Sequence, residues 1–243
     1  MSNLNNTWGD PYKYKGVLIY PVQMKYHEKF YQYVNCLLIE KNKVPDVRVI
    51  KMSYLRFLFE LSHTSKEYYI CWRYLTKLLI LVFKHKFHFL FYGEKLFIKI
   101  GKKILSENDF GDIRKIICKQ NLVVLNEDLL SPEVQRAINE ARNFMFKKEI
   151  PATTEENVLS FFAATGYEPE KIKELTIYIF NKTMQRLNLL KAWEVFMYPM
   201  LRSGDINKLP HWLSHVPERG VYDDVTMTED DFNKKTSDSM YQK

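Results

Sequence analysis

Residues 87–121 read FHFLFYGEKLFIKIGKKILSENDFGDIRKIICKQN, and along them the hydrophobic period changes from two residues to about 3.6. In the first half, apolar residues alternate with others on both sides of the pair Gly93-Glu94. A two-residue loop that begins with glycine suits a type II′ turn, because glycine tolerates the positive φ that this turn requires. The pattern therefore predicts a β-hairpin that turns at Gly93.

The second half of this stretch has helical spacing. Ser106, followed three residues later by Asp109, resembles a capping box. The apolar face of the predicted helix then consists of Phe110, Ile113, Ile116 and Ile117. A lone hairpin is marginally stable in water, so this ββα unit needs other helices to cover its apolar faces. We therefore expect a mainly α (α+β) fold, in which flanking helices cover a central β-hairpin.

Helical patterns occur on both sides of this unit. They predict helices over residues 24–41, 53–61, 66–83, 131–148 and 154–165, and a long helix that opens at Pro169. Ser53 is a predicted N-cap, Thr153 with Glu156 a predicted capping box, and Gly166 a predicted helix end. Residues 1–19 are aromatic but irregular. Pro199 is expected to distort any helix that contains it.

The same spacing predicts which side chains are buried and how the chain is divided. In residues 66–83 the predicted buried side chains are Ile70, Tyr74, Leu75, Leu78, Leu79 and Val82, and in residues 154–165 they are Val158, Leu159 and Phe162. We divide the chain into an N-terminal helical part with the hairpin (residues 1–150), a C-terminal helical part (151–216) and a polar acidic tail (217–243). The tail is expected to be flexible.

Composition and charge limit the classes of protein to consider. With 243 residues the chain is long enough to bury a core, and its eight glycines and nine prolines argue against low-complexity classes. Its longest apolar run, residues 78–83, is far shorter than a membrane span, and the polar start predicts no signal peptide. The net charge is +7, but the tail alone is −3, so the body is +10. A basic body is compatible with nucleic acid, although a solvated mixed surface is commoner.

The residues that can carry chemistry are few. Cys36, Cys71 and Cys118 lie far apart without a C-x-x-C pair, so we expect reduced core or boundary residues and a reducing cytosol. His211 and His215 have the spacing of a zinc protease, but Trp212 occupies the place of the catalytic glutamate, which favours a packed or surface pair over a zinc hydrolase. No nucleophile or phosphate-binding motif is present, so we expect neither an enzyme nor a cofactor.

Residues 104–133 read ILSENDFGDIRKIICKQNLVVLNEDLLSPE, which resembles a pattern found in tail-region proteins of bacteriophages of low-GC Gram-positive hosts. The pattern is a short hairpin, an acidic-Phe-x-x-Ile-Arg-x-Ile-Ile helix, a Gln-Asn pair and an acidic loop into Ser/Asp-Pro-Glu. Its positions in this chain are Asp109, Phe110, Ile113, Arg114, Ile116, Ile117, Gln120, Asn121 and Ser131-Pro132-Glu133. With Tyr20-Pro21-Val22 before it, and residues 153–166 and His211-Trp212 after it, the resemblance covers roughly residues 18–215.

Proteins with this pattern are tail-assembly chaperones or T4-type baseplate-hub assembly proteins. The resemblance implies a non-enzymatic morphogenesis protein that binds other phage tail proteins, namely the tape measure or baseplate-hub subunits, and it leaves a homo-oligomer open. The implied location is the host cytoplasm during assembly or the tail or baseplate of the virion, with no membrane partner.

The resemblance also selects candidate site residues. Arg114, Gln120 and Asn121 match the pattern without an obvious core role, so we predict either a partner contact or a buried hydrogen-bond network there. His211 and Trp212 are the other predicted partner-binding residues. The alternative function is a nucleic-acid-binding regulatory or anti-host phage protein that uses the basic body, and it is less favoured. Lys95, Lys99, Lys102 and Lys103, predicted to lie on the second strand, form a modest basic face with interleaved aromatics, but Phe97 and Lys99 are also what the solvent side of a hairpin carries.

Overall fold

The structure is a computed structural model, and it describes residues 3–41, 48–93, 95–125 and 152–203. The helices in this part of the chain are α1 (Asn3–Trp8), α2 (His27–Val34), α3 (Arg48–Lys51), α4 (Tyr54–Ser62), α5 (Lys66–Phe83), α6 (Asp109–Gln120), α7 (Thr154–Thr165), α8 (Pro169–Glu174) and α9 (Ile177–Ser203). The strands are β1 (Tyr12–Tyr14), β2 (Val17–Ile19), β3 (Phe87–Tyr92), β4 (Lys95–Ile100) and β5 (Lys103–Ser106). The fold is mainly α (α+β), as the sequence predicts.

The predicted hairpin is present and extends into a third strand. Strands β3 and β4 pair antiparallel from Phe87 opposite Ile100 to Tyr92 opposite Lys95. The loop between them contains Gly93, which has a φ of 58°. After the turn at Gly101, β5 pairs antiparallel with β4, so the sheet is a three-stranded meander in the order β3-β4-β5. The sequence pattern missed β5 because only four residues separate this turn from the turn before α6.

Helices α4 and α5 cover the inner face of this sheet with aromatic side chains. The ring centroids of Trp72 and Phe89 are 4.6 Å apart, and those of Phe59 and Phe91 are 4.9 Å apart. Phe83, at the end of α5, packs edge-on against Phe87. Helices therefore cover the hairpin, as expected because an isolated hairpin is only marginally stable in water.

Helix α6 packs against β2, β5 and α4 with its four predicted apolar residues, all of which are buried. Ser106 and Asp109 make the reciprocal bonds of a capping box, since Ser106 N donates to Asp109 Oδ2 and Asp109 N to Ser106 Oγ. However, the helix begins at Asp109, with Asn108 at the N-cap position. The pair therefore closes the turn between β5 and α6, and the predicted helix start is corrected by two residues.

The N-terminal region is more ordered than the sequence predicts. Residues 12–19 form the hairpin β1-β2, in which Tyr12 lies opposite Ile19. The predicted helix over residues 24–41 is also wrong in its bounds, because α2 lies between two single 3-10 turns, Met24–Tyr26 and Asn35–Leu37. Ser53 caps α4 as predicted, by accepting a hydrogen bond from Arg56 N. Ile70, predicted to be buried in α5, is exposed.

The C-terminal helices confirm the predicted ends of α7 but not its buried face. Thr153 and Glu156 form the capping box, and Gly166 ends the helix in the left-handed conformation. Leu159 is 59% exposed and Phe162 44% exposed, whereas Phe161 is buried. The long helix predicted from Pro169 is interrupted at residues 175–176, and α9 then continues through Pro199. The predicted helix at residues 131–148 and the acidic tail lie outside the described residues.

Candidate functional site

Residues 19–25, which are extended as far as Gln23 and then enter the 3-10 turn Met24–Tyr26, connect three separate parts of the fold; we call them the bridging segment. Tyr20 N donates to the carbonyl of Val82, at the end of α5, over 2.8 Å. Met24 N donates to the carbonyl of Leu175, also over 2.8 Å, and Ile177 N donates to the carbonyl of Val22. The preference of Tyr20, as a residue before proline, for extended backbone fits this role.

The end of α6 provides the third attachment of the bridging segment. Asn121 accepts a hydrogen bond from Val22 N through Oδ1, over 3.0 Å, and donates through Nδ2 to the carbonyl of Ile117. Gln120 Nε2 donates to the carbonyl of Ile19 over 3.2 Å. Gln120 Oε1 is buried and has no hydrogen-bond partner among the described residues. Because buried backbone groups are costly to leave unpaired, these two amides stabilise the path of the segment.

Arg114 makes a similar attachment about two helical turns earlier, to a different segment. Its Nε donates to the carbonyl of Leu37 over 2.7 Å, and its guanidinium carbon lies 3.6 Å from the centre of the Tyr54 ring. The Tyr54 hydroxyl in turn donates to the carbonyl of Ile39 over 2.9 Å and to that of Cys36 over 3.2 Å. This arrangement gives the end of the 3-10 turn Asn35–Leu37 polar partners inside the protein.

The three candidate site residues, Arg114 and Gln120 in α6 and Asn121 directly after it, all lie in the interior. Arg114 is 8% exposed, and Gln120 and Asn121 are each 1% exposed. Of the two predicted roles, the buried hydrogen-bond network agrees with this geometry, whereas a direct partner contact does not, since a partner needs an accessible side chain. His211 and Trp212, the other predicted partner-binding residues, lie outside the described residues, as does His215.

Contacts also run between the two predicted parts of the chain. Gln23 pairs with Thr176 in an isolated β-bridge, and Glu174 Oε1 lies 3.0 Å from Lys25 Nζ. Phe161 and Phe180 belong to the same hydrophobic core as the buried residues of α5 and β4. The division near residue 150 stays a prediction, but the described residues on its two sides share one core.

A cluster of polar side chains links the hairpin β1-β2 to the first turn of α6 by hydrogen bonds and an ion pair. The Tyr14 hydroxyl donates to Asp112 Oδ2 over 2.7 Å and to Asp109 Oδ1 over 3.2 Å, and Lys15 forms an ion pair with Asp109. Burial alone would raise the pKa of Asp109, but hydrogen bonds from Lys15 and Ser106 outweigh it and lower the pKa from 3.8 to about 2. Burial and the neighbouring carboxylates raise the pKa of Tyr14, so both hydroxyl and carboxylate keep their bonding forms at neutral pH.

We expect the variant Asp109→Asn to lose about 1 kcal/mol of folding stability at pH 6, a value reduced because Lys15 is largely exposed to solvent. Since the folded pKa of Asp109 lies below its ordinary value of 3.8, its stabilisation is complete above about pH 5 and is lost as the pH falls through 2. Urea unfolding of both proteins should show the difference shrinking by roughly half between pH 6 and pH 3. A difference that is independent of pH would contradict this account of the ion pair.

The three cysteines are unpaired thiols, and two of them are buried. All three cysteines are free, and burial raises the pKa of the Cys118 thiol to about 12 and that of the Cys36 thiol further. These two thiols therefore stay protonated at neutral pH. Among the described residues, no three His, Cys, Asp or Glu side chains are grouped so that they can hold a metal ion. None of the described helices is both long and apolar enough to cross a membrane.

Two groups of exposed side chains stand out on the surface of the described residues. Near its C-terminal end, α9 exposes a group of large apolar side chains between 50% and 70% of their area: Val195, Phe196, Tyr198 and Leu201. The four lysines predicted to lie on one strand are divided between elements. Only Lys95 and Lys99 belong to β4, whereas Lys102 lies in the turn and Lys103 begins β5.

Comparisons with protein-family models, curated proteins and solved structures found no match for this chain.

Proposed function

We propose that the protein is a non-enzymatic bacteriophage tail or baseplate-hub morphogenesis factor, an assembly chaperone or minor structural subunit that acts by binding other tail proteins. The structural observation that supports this proposal is the apolar surface at the end of α9, defined by Val195, Phe196, Tyr198 and Leu201. Large apolar and aromatic side chains in one exposed place favour a protein interface over a solvated surface. The resemblance of residues 104–133 to phage tail-region proteins supplies the class of partner.

The geometry of α9 suits a partner that is itself helical. The helix is 27 residues long, and its exposed apolar residues fall at intervals of three along the last turns, at Val195, Tyr198 and Leu201. Such spacing lines a strip along a helix, which a second helix can cover. A tape-measure protein or a hub subunit with an amphipathic helix is the partner that we propose. Binding would take place in the host cytoplasm during assembly or in the tail of the virion.

The hydrogen-bond network of Gln120 and Asn121 has a supporting role in this proposal. It fixes the bridging segment, which bonds to the junction of α8 and α9 through Leu175 and Ile177. The network thereby holds the start of α9 in place without touching the partner. Loss of the network is expected to weaken partner binding only as far as it weakens the fold.

We expect the double variant Tyr198→Ser, Leu201→Ser to retain at least tenfold less of a tail protein in an affinity pulldown after co-expression with neighbouring tail genes, because these side chains provide apolar contact area. Their exposure, 70% and 50%, leaves the fold itself little affected. A matched control is Gln185→Ala with Asn188→Ala, which changes two exposed polar residues of the same helix. Retention of no tail protein by the wild-type chain, or equal loss in both variants, would refute the proposal.

A further inference from the structure

The outer face of the three-stranded sheet combines aromatic and cationic side chains. Its members, given by the strand pairing, are His88, Leu90 and Tyr92 of β3, Lys95, Phe97 and Lys99 of β4, and Ile104 and Ser106 of β5. The helices α4 and α5 pack against the opposite face, through Phe89 and Phe91. This outer face is therefore a second surface, separate from the apolar end of α9.

Phe97 lies at the centre of the face and has cations on both sides along its own strand. Lys95 and Lys99 are two residues before and after it, so all three side chains leave β4 in the same direction. Tyr92, which is 67% exposed, packs edge-on against Phe97 with a ring separation of 5.9 Å. Lys95 and Lys99 are exposed, and about 13 Å of extended strand separates them.

The eight members of this face include the cations Lys95 and Lys99 and the imidazole of His88, and none of them is a carboxylate. Two carboxylates reach its β5 edge: Asp109 bonds to Ser106 and is paired with Lys15, and Glu107 accepts a hydrogen bond from Leu96 N over 3.4 Å. Away from that edge, the face is complementary to an anion and has an apolar centre.

The positive charge continues past the end of β4. Exposed basic residues flank the face, since Lys86 precedes β3 and Lys102 lies in the turn after β4. A groove of about 500 Å³ that is lined by Phe83, Ile100 and Lys103 belongs to the opposite face of the sheet, because Ile100 pairs with Phe87 and Lys103, and it is not part of this surface. A ligand that contacts both Lys95 and Lys99 must therefore be extended along the strand and anionic.

We propose that the outer face of the sheet binds single-stranded nucleic acid. Bases stack on Phe97 and Tyr92, and phosphates contact Lys95, Lys99 and the basic residues beyond the strand. Unpaired bases are free to lie against a sheet, whereas the bases of a duplex are stacked inside it and would require an element that enters a groove. An acidic protein offers the same charge, but it lacks flat rings at intervals along a charged backbone. This second activity does not depend on the proposed role in tail assembly.

The test uses the full chain with labelled 20-nucleotide oligo(dT) and oligo(U), followed by fluorescence anisotropy at 50 and 200 mM salt. If three phosphates are contacted, the slope of log affinity against log salt is about −2, which corresponds to a loss of about 20-fold between these two salt concentrations. Phe97→Leu, which keeps an apolar side chain but removes the ring, should weaken binding by about tenfold. The two oligonucleotides distinguish DNA from RNA as the preferred ligand, and either supports the proposal.

Charge variants separate this face from general attraction to a basic protein. Lys95→Gln with Lys99→Gln should make the salt slope smaller by about 1.4. The control, Lys66→Gln with Lys171→Gln, removes the same charge from exposed positions on α5 and α8 and should change affinity by less than about twofold. Circular dichroism of each variant verifies the fold, so a loss of binding can be assigned to the face.

Each of the following results would overturn the proposal: absence of binding at 50 mM salt, a flat salt response, equal loss of affinity in the Lys95/Lys99 variant and the control, or equal affinity for duplex DNA. Binding of poly-glutamate as tight as that of the oligonucleotides, with Phe97→Leu affecting neither, would assign the face to acidic proteins and would also overturn it. None of these outcomes bears on the pulldown that tests the surface of α9.

Discussion

Replacing Arg114 with alanine is expected to lower the free energy of unfolding by about 3 kcal/mol, because the change leaves one buried carbonyl without its donor and removes a desolvated cation–π contact. The carbonyl is that of Leu37, 2.7 Å from Nε, and the ring is that of Tyr54. The alkyl part of the side chain is also lost from the packed interior. Urea denaturation followed by circular dichroism measures the loss.

The matched control for this variant is Lys115→Ala, the adjacent and exposed basic residue of the same helix. We expect it to change stability by no more than about 0.5 kcal/mol, because its side chain is exposed to solvent. If Arg114→Ala instead kept full stability and lost tail-protein binding, the predicted partner contact would be right and the buried network wrong. Measuring both stability and pulldown for each variant separates these outcomes.

Arg114 shows which features of the site can be predicted from the sequence and which cannot. The position stands on the helix between Ile113 and Lys115, and a resemblance alone selected it together with Gln120 and Asn121. Helical spacing says which residues share a face, but it does not say that Leu37 and Ile19 bring their carbonyls to that face. Those contacts join residues 77 and 101 positions apart along the chain. Such pairings depend on tertiary structure, which periodicity does not encode.

The elements that were predicted well are those with local signals. Ser53, Thr153 and Gly166 are end signals that act within one turn of the helix, and all three occur where they were predicted. The hairpin β3-β4 has a period-two pattern of six residues in each strand, which is long enough to detect. Strands β1 and β2 have only three residues each, too few for an alternation to stand out from chance.

The bridging segment explains why the helix predicted from Pro169 is interrupted. Residues 175–176 leave the helix because Leu175 accepts a hydrogen bond from Met24 and Thr176 pairs with Gln23. The local sequence gives no reason for a break, since Leu175 continues the apolar spacing. The break in the helix allows an antiparallel contact between segments about 150 positions apart, and this contact joins α9 to the N-terminal sheet and helices.

Phe161→Ala is expected to lower the free energy of unfolding by about 3–5 kcal/mol, the usual cost of removing a buried phenylalanine. Its ring stacks on that of Phe180 at 4.9 Å and lies near that of Tyr167, so the substitution leaves a cavity between α7 and α9. Phe162→Ala, at the next position, should cost about 0.5 kcal/mol because that ring is 44% exposed. Amide exchange across residues 154–165 shows whether α7 opens alone or with the core.

The pair of variants decides between two orientations of one helix. The sequence spacing places Phe162, with Val158 and Leu159, on the buried side. In the structure Val158 packs against the core as predicted, but Phe161 takes the buried place of Phe162, about 100° round the helix, and Leu159 is exposed. Stacking on Phe180 favours this orientation, because it buries the Phe161 ring, whereas the Phe162 ring stays 44% exposed. Should Phe162→Ala be the costlier change, the orientation inferred from spacing would be correct, and α7 would contact the core through its other face.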